Sequence, residues 1–312
     1  MSELINFFND YEKSNKIEGR LTFDHSLAKS SWLGVGGNAE VFYICDSKKQ
    51  LIEILSNLPQ KFNRSIIGQG SNILIRDGGI KGLVIKLGKS FQNINNKNNT
   101  IIVGGATLDK VIARYGEKKS LGGLEFLSGI PGNIGGALAM NAGCFGSEIS
   151  NIFLSANGVD YFGNIIKIAK EDFNFEYRYN PLALNSIFTE IILSAEKDDQ
   201  KSISSKIEKI NIERTLSQPK GIKTGGSTFK NPDVTISKKK AWELIRETKN
   251  HELSFDGVSF SKKHSNFIEN KQNKSANIIE DFCNLVQKNI LEKSGVELEL
   301  EIKIMGIRKK DK

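Results

Sequence analysis

The chain has 312 residues, 38% hydrophobic and 26% charged, with a net charge of +8. That length suffices for two domains with separate cores, and the composition excludes a disordered or fibrous chain. No apolar run approaches the roughly 18–20 residues of a membrane span. The start, MSELINFFNDYEK, has neither the basic region nor the cleavage site of a signal peptide, so a cytoplasmic protein is expected. Three cysteines (Cys45, Cys144, Cys283) without paired spacing argue against a disulfide framework or a zinc site. With only three histidines, no metal centre and no Ser-His-Asp triad is expected.

The positive charge is unevenly placed. Residues 201–312 carry 23 Lys/Arg against 15 Asp/Glu, whereas residues 1–200 carry 21 of each. Such a region suits an anionic partner or is simply a solvated surface. No basic stripe with interleaved aromatics singles out nucleic acid, and a phosphorylated metabolite answers to the same field.

Glycine divides the chain: 22 of 29 glycines lie between Gly34 and Gly163. In RSIIGQGSNILIRDGGIKGLVIKL, β-type residues flank Gly68, Gly70, Ser71 and Asn72. A dinucleotide fingerprint needs a third glycine and a following helix, and here Ile73 and a strand follow. The loop reads either as a hairpin turn or as a backbone nest for phosphate. QNINNKNNT (92–100) reads as a polar loop. IIVGGATLDKVIARYGEK is a strand, a Gly104-Gly105 turn and a helix capped by Thr107, whose free N–H groups suit an anion. The densest glycine segment, GGLEFLSGIPGNIGGALAMNAGCFGSEI (122–149), has Pro131 fixing one turn. It lets backbone lie flat against a large ligand or serves as a structural crossover.

SIFTEIILSA (186–195) reads as a strand. Ile203, Ile207 and Ile210 have helical spacing over 201–216, a helix leading into the second part. A further helix runs from about Ser275 to Lys293, stopped by Gly295. Val296, Leu298, Leu300, Ile302 and Ile304 then alternate with charged residues, which predicts a strand with one buried face.

Eight motifs stand in an order that resembles one family. They are LGVGGNAE (33–40), GQGSNILIRDGG (68–79), GLEFLSGIPGNIGGALAMNAGCFG (123–146), YR (177–178), QP (218–219), GGSTFKNP (225–232), SKKHSNFIEN (261–270) and LELEIKIMG (298–306). The chain resembles the UDP-N-acetylenolpyruvoylglucosamine reductase (MurB) family, flavoenzymes of peptidoglycan precursor synthesis and thus of cell-wall biogenesis, cell shape and division. The resemblance implies an α+β fold. An N-terminal arm (1–29) precedes a two-lobed FAD-binding domain of the vanillyl-alcohol-oxidase (PCMH) type over 30–197, its lobes about 30–98 and 99–197. A smaller α/β substrate domain over 198–306 and a basic tail at 307–312 follow. It also implies non-covalent FAD at Gly68, Gly70, Ser71, Asn72, Gly129, Ile130, Pro131, Gly132, Gly135 and Gly136. NADPH is the implied co-substrate, a UDP-sugar the substrate, and a monomer the working form.

The implied chemistry moves hydride to the β-carbon of an enolpyruvyl double bond while charge develops on the α-carbon and carboxylate. By position, Arg178 matches the family's catalytic arginine, a permanent charge suited to a carboxylate. Here Glu176 and Asn180 replace the family's usual glycine and serine around it. Glu301 matches the catalytic glutamate; by pattern alone it is an exposed strand carboxylate. Ser227 matches the proton donor. Arg214, Lys230 and Asn231 are candidates for the substrate's diphosphate, and His264 reads as structural. No tyrosine-bearing insertion follows Arg178, which resembles the family's shorter type. An FAD-linked sugar or alcohol oxidase with the same flavin domain is the alternative.

Overall fold

The computed structural model describes residues 2–309, so the end of the basic tail expected at 307–312 lies outside the described residues. The chain divides into two compact units. One runs through Phe23 and takes Val41–Gly68 and Gly82–Arg214; the other takes Asp24–Glu40, Gln69–Lys81 and the chain from Thr215 onward.

The first unit has two sheets. The larger part of a four-stranded sheet lies here, ordered Gly19–Ser26, Asn38–Cys45, Ile80–Leu87, Arg64–Ile66. Val41, Tyr43 and Cys45 alternate onto the face that meets Leu83, Ile85 and Leu87. Helices Glu3–Ser14 and Lys48–Asn57 cover that face with Leu4, Phe8, Leu51 and Ile54. Each helix starts on a serine, Ser2 or Ser47, whose hydroxyl accepts a first-turn N–H. The second sheet is antiparallel: Ile165–Ala169, Phe153–Asp160, Ser186–Ser194, Thr100–Gly104, Ile94–Lys97. Its core takes Ile112 from helix Asp109–Lys119 and Ile203 and Ile207 from helix Gln200–Ser217. The contacts keep that last helix with the first unit up to Arg214, beside an expected boundary at 197/198.

The second unit is built on helix Ala276–Ser294, with Ser275 capping its start and Gly295 (φ 71°) its end. Ile279, Phe282, Val286 and Ile290 form the stripe expected from the spacing, and pack with Leu244, Phe229, Val296, Leu298 and Ile302. No helix among the described residues is long and apolar enough to cross a membrane.

Four expectations need correction. Thr107 does not cap the helix: that helix begins at Asp109 behind Leu108, and the Thr107 hydroxyl donates to the Asn93 carbonyl instead. The polar run at 92–100 is no loop, because Ile94–Lys97 pairs with Thr100–Gly104; an edge strand solvated on one side tolerates asparagine. The Gly68–Asn72 turn is not a hairpin, since Arg64–Ile66 runs parallel to Ile80–Leu87 and Ile73–Ile75 pairs in parallel with Lys303–Met305. Finally, only Lys303–Met305 of the alternating C-terminal segment is regular strand. Val296, Leu298 and Ile302 are buried as the alternation demands, but the segment changes partner along its length and so forms no continuous ladder.

Candidate functional site

In the second unit the residues expected to do proton chemistry lie on one backbone network. Ser227 bridges Phe267 and Phe229 bridges Leu300, both antiparallel. The Glu301 N–H donates to the Thr228 carbonyl at 2.8 Å and the Lys230 N–H to the Glu299 carbonyl at 2.8 Å. Asn72 joins from the glycine loop: its amide donates to the Glu301 carbonyl at 3.0 Å, and its own carbonyl accepts the Lys303 N–H at 2.9 Å. Ser227 and Glu301 are thereby held on neighbouring extended segments, with Ser71 and Asn72 beside them. Gly226 (φ 78°) faces open space, its nearest neighbour being the Ser71 carbonyl oxygen at 4.0 Å.

Ser227 is not activated as a nucleophile. The Nδ1 atom of His264 accepts the Asn266 N–H at 3.2 Å and its ring packs on Phe267 at 4.5 Å; burial, then the Arg246 charge, lowers its pKa. His264 is thus structural, engaged with Asn266 and Phe267 and not as a base for Ser227. Lys230 pairs with Glu299 at 2.9 Å. Lys303 adds a second ammonium, lowered by burial and by the Lys230 charge. Asn231 is engaged locally: its side-chain oxygen accepts the Ala241 N–H that opens helix Ala241–Glu247.

Sequence reasoning assigned no role to Asn266, which clamps the Ser227 turn. Its side chain accepts the Phe229 N–H and donates to the Phe229 carbonyl, while its own carbonyl accepts the Thr228 N–H. The only signal in the sequence was its place inside SKKHSNFIEN.

The first unit holds Arg178, Arg214, Gly68 and the 129–136 segment. Arg178 is the third residue of a tight turn closed by mutual hydrogen bonds between Glu176 and Tyr179, with φ 56°, a left-handed conformation costing roughly 1–2 kcal/mol. Its guanidinium donates to the Asn141 and Gly143 carbonyls at 3.2 and 2.8 Å and stacks over Tyr177. Of the two departures around it, Asn180 acts through its side chain and Glu176 through a backbone carbonyl that any residue offers. The Glu176 carbonyl accepts from the Asn141 side chain, and buried Asn180 donates to the Leu138 carbonyl and accepts the Leu182 N–H. Only the short 3-10 turn Pro181–Leu184 separates this loop from strand Ser186–Ser194. Burial lowers the Arg214 pKa and pushes the Cys144 thiol up to about 12; the charges of Arg214 and Arg178 pull that thiol the other way.

Two glycine segments are zipped together here. Gly135 donates to the Gly105 carbonyl and Ile134 to that of Thr107; Leu108 bridges Asn133, and Asp109 donates to the Gly132 carbonyl. A side chain at Gly105 would strike the Phe188 carbonyl, and one at Gly135 would stand 2.8 Å from the Gly105 oxygen. A side chain at Gly68 would strike the Asn133 amide, whereas one at Gly136 meets only that amide oxygen at 3.3 Å. In the second unit Gly70 (φ 70°) lies against the Ser30 carbonyl. Most of these glycines therefore answer to the protein's own backbone. Gly136 faces a side chain and not a backbone carbonyl, and Asp109, fully buried, has both carboxyl oxygens without a hydrogen bond. Glycine at the second and third positions of helix Ile134–Ala139 leaves that helix start without side chains, which fits the close approach of a large polar cofactor.

The chain matches two family models: an FAD-binding domain over residues 39–169, and the C-terminal domain of UDP-N-acetylenolpyruvoylglucosamine reductase over residues 218–305. It is 40% identical over 290 residues to the UDP-N-acetylenolpyruvoylglucosamine reductase of Rickettsia rickettsii, covering 93% of this chain and 97% of that one. It is 39% identical over 294 residues to that of Paramagnetospirillum magneticum, covering 94% of each. The crystal structure of the reductase (MurB) from Thermus caldophilus superposes with a TM-score of 0.78 at 27% identity, over 93% of this chain and all of that one. The chain carries a two-domain α+β FAD-binding fold and belongs to the UDP-N-acetylenolpyruvoylglucosamine reductase family, whose members are FAD-dependent oxidoreductases.

Proposed function

We propose that the protein reduces UDP-N-acetyl-3-O-(1-carboxyvinyl)-glucosamine to UDP-N-acetylmuramate with NADPH, as a cytoplasmic step of peptidoglycan precursor synthesis. The observation that carries this reading is the network joining Asn72, Ser227 and Glu301. A glycine loop, a serine and a glutamate, far apart in sequence, are tied through the Thr228 and Glu301 carbonyls.

FAD, held without a covalent bond by the 68–72 and 129–136 segments, would supply hydride transfer from NADPH to the enolpyruvyl β-carbon. The protein's task is then to bind the carboxylate, stabilise charge on the α-carbon and deliver one proton. Arg178 carries a permanent charge whose donors are bidentate in habit, and takes the carboxylate. Its anchoring carbonyls on Asn141 and Gly143 hold the guanidinium in a fixed plane. Ser227, with His264 engaged elsewhere, serves as a hydroxyl donor to a strongly basic α-carbon. Glu301, fixed through its own N–H and carbonyl, helps place that proton. Lys230, with Asn231 beside it, and Arg214 take the diphosphate, for which Lys230 exchanges its Glu299 partner.

The test is the protein's colour and its two half-reactions. Purified protein should be yellow and, with oxygen excluded, lose its visible absorbance on NADPH and regain it only when the enolpyruvyl substrate is added. A colourless protein that takes up no FAD on reconstitution, or a reduced flavin that the substrate does not reoxidise, sinks the reading.

A further inference from the structure

Asn141 follows helix Ile134–Ala139 by two residues, and it is buried with every polar atom engaged. Its N–H donates to the Leu138 carbonyl at 3.2 Å, and its side-chain oxygen accepts the Ser150 N–H at 3.0 Å. The side-chain amide donates to the Glu148 carboxylate at 3.1 Å and to the Glu176 carbonyl at 3.3 Å. The Asn141 carbonyl accepts from the Arg178 guanidinium at 3.2 Å. Two of these bonds run to one turn. Asn141 therefore grips the turn that carries Arg178 by its backbone, at Glu176, and by its tip, at the guanidinium. That turn calls for outside support, because Arg178 sits at φ 56°, a strained conformation that surrounding structure must impose. Asn141 itself has φ 41°, in the region where asparagine is among the few tolerated residues. In so buried a place no water takes over the bonds of a lost amide.

We infer that Asn141 is a positioning residue, whose side chain sets where the Arg178 guanidinium stands when the substrate's carboxylate arrives. The inference rests on the reading of Arg178 above and adds the residue through which the fold delivers that charge. Arg178 supplies the cation, and Asn141 removes its freedom to lie elsewhere. A misplacement of about 1 Å in a reacting site can cost on the order of 10²-fold in rate, so a residue that only holds another is visible in kinetics.

The experiment uses full-length, flavin-loaded protein and stopped-flow with the two half-reactions separated. It compares wild type, Asn141→Gly, Arg178→Ala and the variant carrying both changes. Glycine accepts the left-handed backbone and keeps the carbonyl that receives Arg178, so only the bonds of the amide are lost. Reoxidation of the reduced flavin by the enolpyruvyl substrate should slow about 10–100-fold in Asn141→Gly, with flavin reduction by NADPH changed far less. In Arg178→Ala the asparagine has nothing left to position, so the double variant should be no slower than Arg178→Ala alone. A residue that matters only to the fold would give losses that multiply. Asn141→Asp cannot donate to the Glu176 carbonyl and sets a second carboxylate against Glu148, so it should slow the same half-reaction; it takes the place of Asn141→Gly if the glycine variant does not fold. Reoxidation at the wild-type rate in the residue-141 variant, or losses that multiply in the double variant, overturn the inference. Reoxidation at the wild-type rate in Arg178→Ala is a different result: it takes Arg178 away from the carboxylate, and the inference falls with that reading.

Discussion

In the first unit, the segments at 104–107 and 129–136 are locked to one another by backbone hydrogen bonds, and several glycines exist because a neighbouring carbonyl leaves no room for a side chain. In the second unit, Ser227 and Glu301 are presented by extended segments that meet through isolated bridges, and the glycine beside them faces open space. The first is a cradle made of backbone, where a substitution acts through the fold. The second is a set of side chains on a clamped turn, where a substitution acts on chemistry. Substitutions in the glycine segments should therefore act on stability, and those at Ser227 and Glu301 on turnover.

The largest effect is expected at Ser227. Ser227→Ala should bind FAD and substrate nearly normally and be reduced by NADPH at close to the wild-type rate. Reoxidation by the enolpyruvyl substrate should fall by several orders of magnitude, beyond the roughly 10²–10⁴-fold of a single general acid, because a dry pocket has no substitute donor for carbon. Ser227→Cys should keep part of the activity. Stopped-flow with the half-reactions separated reads it, and reoxidation at the wild-type rate in the alanine variant would reduce Ser227 to a turn residue.

Next come the glycines. Gly135→Ala places a methyl group 2.8 Å from the Gly105 carbonyl oxygen. It should cost about 1–3 kcal/mol of stability, a drop on the order of 5 °C, and loosen the flavin with it. Gly226→Ala, at φ 78° but with nothing closer than 4.0 Å, should cost only about 1 kcal/mol and leave flavin affinity unchanged. Gly136→Ala sharpens the comparison further. Its new methyl group would meet only the Asn133 amide oxygen, at a tight 3.3 Å that a side-chain shift relieves, so the apo protein should change by less than about 1 kcal/mol while FAD binds more weakly. Equal flavin affinity in Gly136→Ala and wild type would mean that no ligand approaches that backbone.

How much of this was legible beforehand follows from what a sequence encodes. Helices 200–217 and 276–294 were readable because burial repeats every turn and Ser275 and Gly295 mark the ends of the second. Alternation in the C-terminal segment revealed which side chains are buried, yet not what lies alongside; a period encodes a face and is silent about partners. The glycine loops were visible as loops. Whether a glycine makes room for a cofactor or for Gly105 depends on a neighbour thirty residues away. Asn266 acts on Phe229 across 37 positions and left no local mark. Asp109 drew no notice in the sequence, and only its burial exposes the missing hydrogen bonds.

A smaller effect is expected at Lys230. Its ion pair with Glu299 reaches a largely solvated carboxylate, and such pairs contribute roughly 0–1 kcal/mol, so Lys230→Ala should leave the melting temperature nearly unchanged. If the ammonium holds the diphosphate, the substrate's KM should rise about tenfold, the loss of one charge-assisted contact, while flavin reduction by NADPH is untouched. The same split is expected for Arg214→Ala. An unchanged KM in both variants returns the basic charge to a solvated surface.

The last expected effect is a slope. Burial raises the Asp109 carboxyl above its ordinary value of 3.8 in the folded protein, so the native state holds its proton where the unfolded chain, titrating near 4, has released it. In that window the native state binds more protons than the unfolded one, and stability must fall as pH rises. The contribution is complete below about pH 4 and is lost progressively toward the folded-state pKa, at no more than about 1.4 kcal/mol per pH unit. Flavin-free wild type should therefore lose part of its denaturation midpoint between pH 4 and neutrality, relative to Asp109→Asn, which has no proton to release. Parallel profiles for wild type and Asp109→Asn would mean that the carboxyl ionises normally, as an ordinary charge at the start of a helix.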